Sequence, residues 1–214
     1  MKILLTGLLL ILISVVVIKW QHYLPVPQKR TASHEPATGS IYKAPAQEFL
    51  RLKSKTLAAR LFIKQNNFDT TIFFLVDMTL PAGKPRFFVY DLKRDVIQSS
   101  GLVTHGNCNQ YWLEGRKYGN EIGCGCKSIG KYKIGKSYYG KFGLAFKLHG
   151  LEQTNSNAFK RYVVLHSHNC VPESEVADEI CQSNGCPTVA PGFFKQLEVL
   201  LKKLNHPVLL WIFE

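Results

Sequence analysis

The sequence predicts a mainly β fold with flanking helices, preceded by an N-terminal membrane or signal segment. Three observations predict it: aromatic and β-branched runs recur through the middle of the chain, helical spacing brackets them on both sides, and an uncharged apolar stretch opens the chain. Val, Ile, Phe and Tyr in short runs suit pleated strands, whereas apolar residues three and four apart suit helices. At 214 residues and 46% hydrophobic, the chain is sized for one domain with a short appendage. With 12% aromatic residues it has too much to bury to remain disordered.

Residues 3–18 carry no charge, with Lys2 before them and Lys19 after. A lysine ahead of an apolar core is the pattern of an export signal, and Trp20 and Tyr23 suit a membrane interface. No small-residue cleavage site follows, so an uncleaved anchor is expected ahead of a removed signal peptide for residues 1–20. Residues 21–45 hold Pro25, Pro27, Pro36 and Pro45 with Thr, Ser and Gly, the composition of a spacer. Residues 46–214 are expected to form the folded domain.

Within it, Phe49, Leu50, Leu52, Leu57, Ala58, Leu61 and Phe62 have amphipathic helical spacing, which predicts a helix over 46–65. Residues 72–78 (IFFLVDM), 86–92 (RFFVYDL) and 162–166 (YVVLH) predict strands. The Gly-rich stretch 119–135 lacks the phosphate-loop pattern and reads as tight turns between strands. After Pro191, the residues Phe193, Phe194, Leu197, Leu200, Leu201 and Leu204 predict a second helix, and Pro207 opens a last strand over 208–213.

The formal net charge of +12 draws the protein to anionic partners. An export signal directs that charge away from nucleic acid and toward anionic lipid or an acidic polymer. Lys131, Lys133, Lys136, Lys141 and Lys147 are also explained by a solvated face. Six cysteines, Cys108, Cys124, Cys126, Cys170, Cys181 and Cys186, permit disulfides outside the cytoplasm. If one is a catalytic thiol, the other five cannot all pair; a Cys170–Cys181 bridge is one option.

The chemistry concentrates in Ser183-Asn184-Gly185-Cys186-Pro187. A free thiol has a pKa of about 8.5 and needs a neighbouring base to become the nucleophilic thiolate. Gly185 permits a backbone conformation closed to other residues, so that successive amides can aim at one developing oxyanion. His166, at the end of the 162–166 strand and followed by Ser167, is the expected base. His168, two residues on, is the rival base. His149 is expected to line the same site, and His105 is expected to be structural or to contact substrate.

Residues 140–167 (GKFGLAFKLHGLEQTNSNAFKRYVVLHS), followed by SNGCP, resemble the catalytic domain of the murein L,D-transpeptidases, in the branch with a Ser-x-Gly-Cys-Pro motif. The resemblance extends loosely from about Phe74 to Ala190. It implies a mixed β-sandwich, with Cys186 as nucleophile and His166-Ser167 at the base position; Ser183, Asn184, His168, His149 and His105 are the expected substrate contacts around them. It also implies acyl transfer on peptidoglycan stem peptides through a thioester with release of D-alanine, no metal or organic cofactor, a monomer, and a place in the cell envelope, on the periplasmic side of the inner membrane or exported. Asn184 departs from the His that many family members carry before Gly-Cys, and Cys124-Gly125-Cys126 and Cys170 are unusual for the family. Two rival readings remain: a zinc module using His166, His168, Cys170, Cys181 and Cys186, and a catalytically silent wall-binding protein on the same fold.

Overall fold

The computed structural model describes residues 46–214. The expected membrane segment 3–18 and the linker 21–45 lie outside the described residues. Among the described residues, no helix is long and apolar enough to cross a membrane.

Helix α1 (Ala46–Gln65) leads into strands β1 (Ile72–Asp77), β2 (Phe87–Asp91) and β3 (Val96–Gly101). After a long irregular passage come β4 (Gly130–Gly140), β5 (Gly143–Gly150), β6 (Val164–Ser167) and the short β7 (Thr188–Val189). Helix α2 (Pro191–Leu201) and β8 (Leu209–Phe213) finish the chain.

The mainly β fold expected as a mixed sandwich has its eight strands in one hydrogen-bonded sheet of order β3-β2-β1-β8-β4-β5-β6-β7. It is mixed: β8 runs parallel to β1, and β7 runs parallel to β6. Its two edges approach each other, because Val103, just past β3, bridges Val189 of β7 and the Thr104 amide donates to the Thr188 carbonyl at 3.0 Å. An edge strand left open exposes unpaired backbone groups, and these contacts cover the edge of β7.

Side-chain alternation sorts β1 onto two cores. Phe74 and Val76 join Phe87, Val89, Leu210, Ile212 and the α2 residues Phe193, Phe194 and Leu197 in the larger cluster. Phe73 and Leu75 join Phe88, Leu209 and Phe213 under α1 in the smaller one. That is why the run in β1 is apolar at consecutive positions.

Helix α1 meets this second face through Leu52, Thr56, Ala59 and Ile63, all buried. Leu50, Leu57 and Leu61, expected on the apolar face, point to solvent instead. The stripe at 52, 56, 59 and 63 has the i, i+4, i+7, i+11 spacing of a single helix face, and Arg51 ties it in place through an ion pair at 3.1 Å with the buried Asp77 at the end of β1.

Two further expectations shift. The strand expected over 162–166 begins only at Val164, because Tyr162 has φ 57° and turns the chain. The Gly-rich stretch is irregular only up to residue 129; its last residues enter β4.

Candidate active site

Cys186 lies on the turn between the 170–182 loop and β7. Gly185 adopts φ 97°, a region that L side chains rarely occupy, and a Cβ there would collide with the Cys126 carbonyl oxygen. The glycine is therefore needed both for its φ and for the close approach behind it. Among the described residues, the amides of Gly185 and Cys186 donate to no protein acceptor, which leaves them free for an anionic oxygen.

Register places the histidine. His166 of β6 pairs with Ala145 of β5 on one side and with Thr188 of β7 on the other. Its ring is buried. Nδ1 lies 3.0 Å from the Ser167 carbonyl oxygen, and Nε2 lies 3.0 Å from the Thr188 hydroxyl. A carbonyl can only accept, so Nδ1 carries the proton and Nε2 presents the lone pair. Ser167 thus acts through its backbone. Phe142, on the β4–β5 hairpin, stacks on the His166 ring at 4.5 Å between centroids and meets His168 edge-on.

The sulfur is a free thiol. It accepts from the Val164 amide at 3.5 Å and faces the Tyr162 carbonyl oxygen at 3.8 Å, to which the S–H donates. That is an arrangement for a neutral thiol. Burial pushes the thiol pKa up, opposed by the Val164 hydrogen bond and the charges of Lys127 and Arg161. Burial also pulls His166 down, opposed by its bond to the Ser167 carbonyl. The thiolate–imidazolium pair expected from the sequence is disfavoured at rest, because a dry pocket penalises both charged forms.

Cys186 and His166 open onto a shared cavity of about 210 Å³, lined also by His168, Ser183, Asn184 and Thr188. Ser183 donates to the Cys186 carbonyl at 2.7 Å, and the Asn107 amide group donates to the Asn184 side-chain oxygen at 3.1 Å. His168 accepts from the Cys170 amide at 3.1 Å. Two expected contacts are not brought here. His149 stacks on Phe159 and lines a separate groove of about 680 Å³ with Lys133, Lys147 and His206. His105 is buried behind the turn, 3.5 Å from Glu179; burial lowers its pKa.

Cys170 and Cys181 form a disulfide, as do Cys108 and Cys126. The first removes two of the five zinc ligands considered from the sequence. Among the described residues, no group of three His, Cys, Asp or Glu is arranged to hold a metal ion. Sequence reasoning missed Thr188, Phe142, Lys127 and Arg161. Thr188 sits two residues beyond the cysteine, the one signal that was legible; the others reach the site only through the fold.

A family model described as L,D-transpeptidase catalytic domain matches residues 46–213. A search of curated proteins returns no match. Solved structures similar to the chain include an L,D-transpeptidase from Xylanimonas cellulosilytica (11% identity, TM-score 0.37), covering 68% of this chain and 61% of that one. An L,D-transpeptidase from Mycobacterium smegmatis matches at 11% identity and TM-score 0.39, over 67% of this chain and 59% of that one. The helical cell shape determining protein Pgp2 of Campylobacter jejuni matches at 14% identity and TM-score 0.42, over 69% and 49%. The match thus spans about three fifths of the first two structures and half of the third.

Proposed function

The chain belongs to the L,D-transpeptidase catalytic-domain family, and from that premise we propose that it performs cysteine-dependent acyl transfer on peptidoglycan stem peptides, with Cys186 as nucleophile and His166 as base. The observation that carries this reading is the free Cys186 thiol sharing one cavity with the lone pair of His166 Nε2, beside the glycine turn whose amides are unengaged.

The reaction begins with the sulfur leaving the Val164 and Tyr162 contacts for the cavity. His166 Nε2 takes the thiol proton as the sulfur attacks the carbonyl between the L-centre of a diamino acid and a terminal D-alanine. The Gly185 and Cys186 amides receive the oxyanion; losing one such donor typically costs about 3–4 kcal/mol of activation energy. The C–N bond breaks, His166 returns the proton to the departing D-alanine amine, and a thioester remains on Cys186. An amine of a second stem then resolves it, forming a cross-link, while water would give a carboxypeptidase. Coupling proton transfer to attack suits a site whose burial holds both groups neutral at rest. The substrate places the enzyme in the cell envelope, with residues 3–18 as its membrane attachment.

The test is covalent capture. Incubation with a carbapenem gives a single adduct on the peptide containing Cys186, read by mass spectrometry. No adduct forms in Cys186→Ala, and acylation of His166→Ala falls by at least about a hundredfold. An adduct that persists in Cys186→Ala, or a dead His168→Ala beside an active His166→Ala, overturns the assignment.

A further inference from the structure

Lys127 is 1% exposed, one of the most deeply buried side chains in the protein. Its Nζ donates to the Cys186 carbonyl oxygen at 2.8 Å. Among the described residues it forms no ion pair with a carboxylate. A buried ammonium without a counter-ion is costly, and it persists where something else requires the charge.

Holding the carbonyl does not require it. The same oxygen accepts from the Ser183 hydroxyl at 2.7 Å and the Thr104 hydroxyl at 3.2 Å. As a hydrogen-bond donor the lysine is redundant; its charge is what the two hydroxyls lack. The segment carrying it is also clamped. Cys126 is bonded to Cys108, its carbonyl accepts from Arg161, and the same carbonyl abuts Gly185. The Gly119 amide donates to the Lys127 carbonyl at 3.0 Å. The ammonium is held directly behind the nucleophile.

We propose that Lys127 is a positioning residue for acyl transfer, which rests on the role assigned to Cys186: its buried ammonium, held at the nucleophile's carbonyl, stabilises the sulfur as the attacking anion.

The groups that face Lys127 agree. They are Arg86 ahead of β2, Arg161 ahead of β6, His105 beyond β3, His166 on β6 and Cys186 itself. Four of these are cationic or neutral, so the Cys186 sulfur is the one group of the set that can become an anion. Burial, opposed by the sulfur's charge and reinforced by Arg86 and Arg161, lowers the Lys127 pKa to about 7. Thiolate formation therefore draws a proton onto Lys127 or keeps one there, and the two groups titrate as a linked pair. The same charge lowers His166, which keeps the imidazole unprotonated and ready to accept.

The test reads the thiol without any wall substrate. The full-length protein is alkylated with iodoacetamide across a pH series and quenched before reduction. The peptide bearing Cys186 is then quantified separately from that bearing Cys124, the other free thiol. Lys127→Met and Lys127→Gln should raise the apparent Cys186 pKa and slow alkylation near neutrality by about tenfold, equivalent to one unit. Lys127→Arg, which keeps the charge, should restore the rate. Gln retains a donor, so a normal rate in Lys127→Gln with a slow Lys127→Met would reduce the lysine to a hydrogen-bonding prop and overturn the proposal. An unshifted profile in both neutral variants would overturn it too. If Met does not fold, as judged by circular dichroism, Gln and Arg carry the comparison. If neither neutral variant folds, an Arg variant alkylated no faster than a histidine-only thiol model (a Cys–His peptide) overturns it. Failure here is distinguishable from failure of the acyl-transfer reading, in which the wild-type thiol alkylates normally but takes no carbapenem adduct at any pH.

Discussion

Cys186 and His166 sit in one cavity, yet each is engaged elsewhere at rest: the sulfur with Val164 and Tyr162, the ring with Ser167 and Thr188. The pH dependence follows from the ring. Burial favours the neutral imidazole, so its folded pKa lies below the ordinary value of 6.5. In the proposed mechanism the neutral ring is the base. Acylation should therefore persist as pH falls past that value and fade only when pH passes through the lowered one. Carbapenem acylation rates over a pH series check this; an acid limb at or above about 6.5 would contradict the burial argument. At this scale the cysteine and the histidine of the cavity were legible, because SNGCP and VLHS are contiguous strings whose chemistry is local. Phe142 and Lys127 were not, since nothing near them in the chain points to His166 or Cys186; Thr188 lay beside the motif, but its contact with His166 came from the fold.

The elements explain how the site is held in place. Helix α1 and the larger core grip opposite faces of β1, β2 and β8, and β8 in turn pairs with β4, the strand that leads through β5 to the histidine strand. Ile63 is buried under α1, whereas Leu57, on the same helix, is 59% exposed. Ile63→Ala should therefore destabilise the protein by about 2–5 kcal/mol through a cavity beneath the helix. Leu57→Ala should change stability by no more than about 0.5 kcal/mol. Urea unfolding measures both; equal losses would mean that the helix docks by its other face. The sequence pattern announced a helix here and its length, but not which stripe turns inward. Leu50, Leu57 and Leu61 are as apolar as the buried set, and only the shape of the sheet face chooses between them.

Across the whole molecule, residues 46–214 contain the core, both disulfides and every residue assigned to the chemistry. A chain lacking residues 2–45 should fold and acylate with carbapenem as the full chain does, while losing its place in the membrane pellet on cell fractionation. A truncated protein that unfolds, or that remains in the pellet, would contradict the division into anchor, linker and catalytic domain. The +12 charge acts over the same scale, favouring an acidic polymer or surface as partner.

Periodicity and contiguous motifs encode a mainly β domain with helices, a cysteine directly after a glycine, a strand-end histidine and an apolar first segment, and these could be read from the chain alone. Which distant pieces meet emerged only on folding. The parallel pairing of β1 with β8, the bridge from Val103 to Val189, the removal of His149 to another groove and the burial of Lys127 against Cys186 all join residues far apart in the chain. Such contacts arise from packing two sheet faces and closing loops, and no local spacing of residues carries that information.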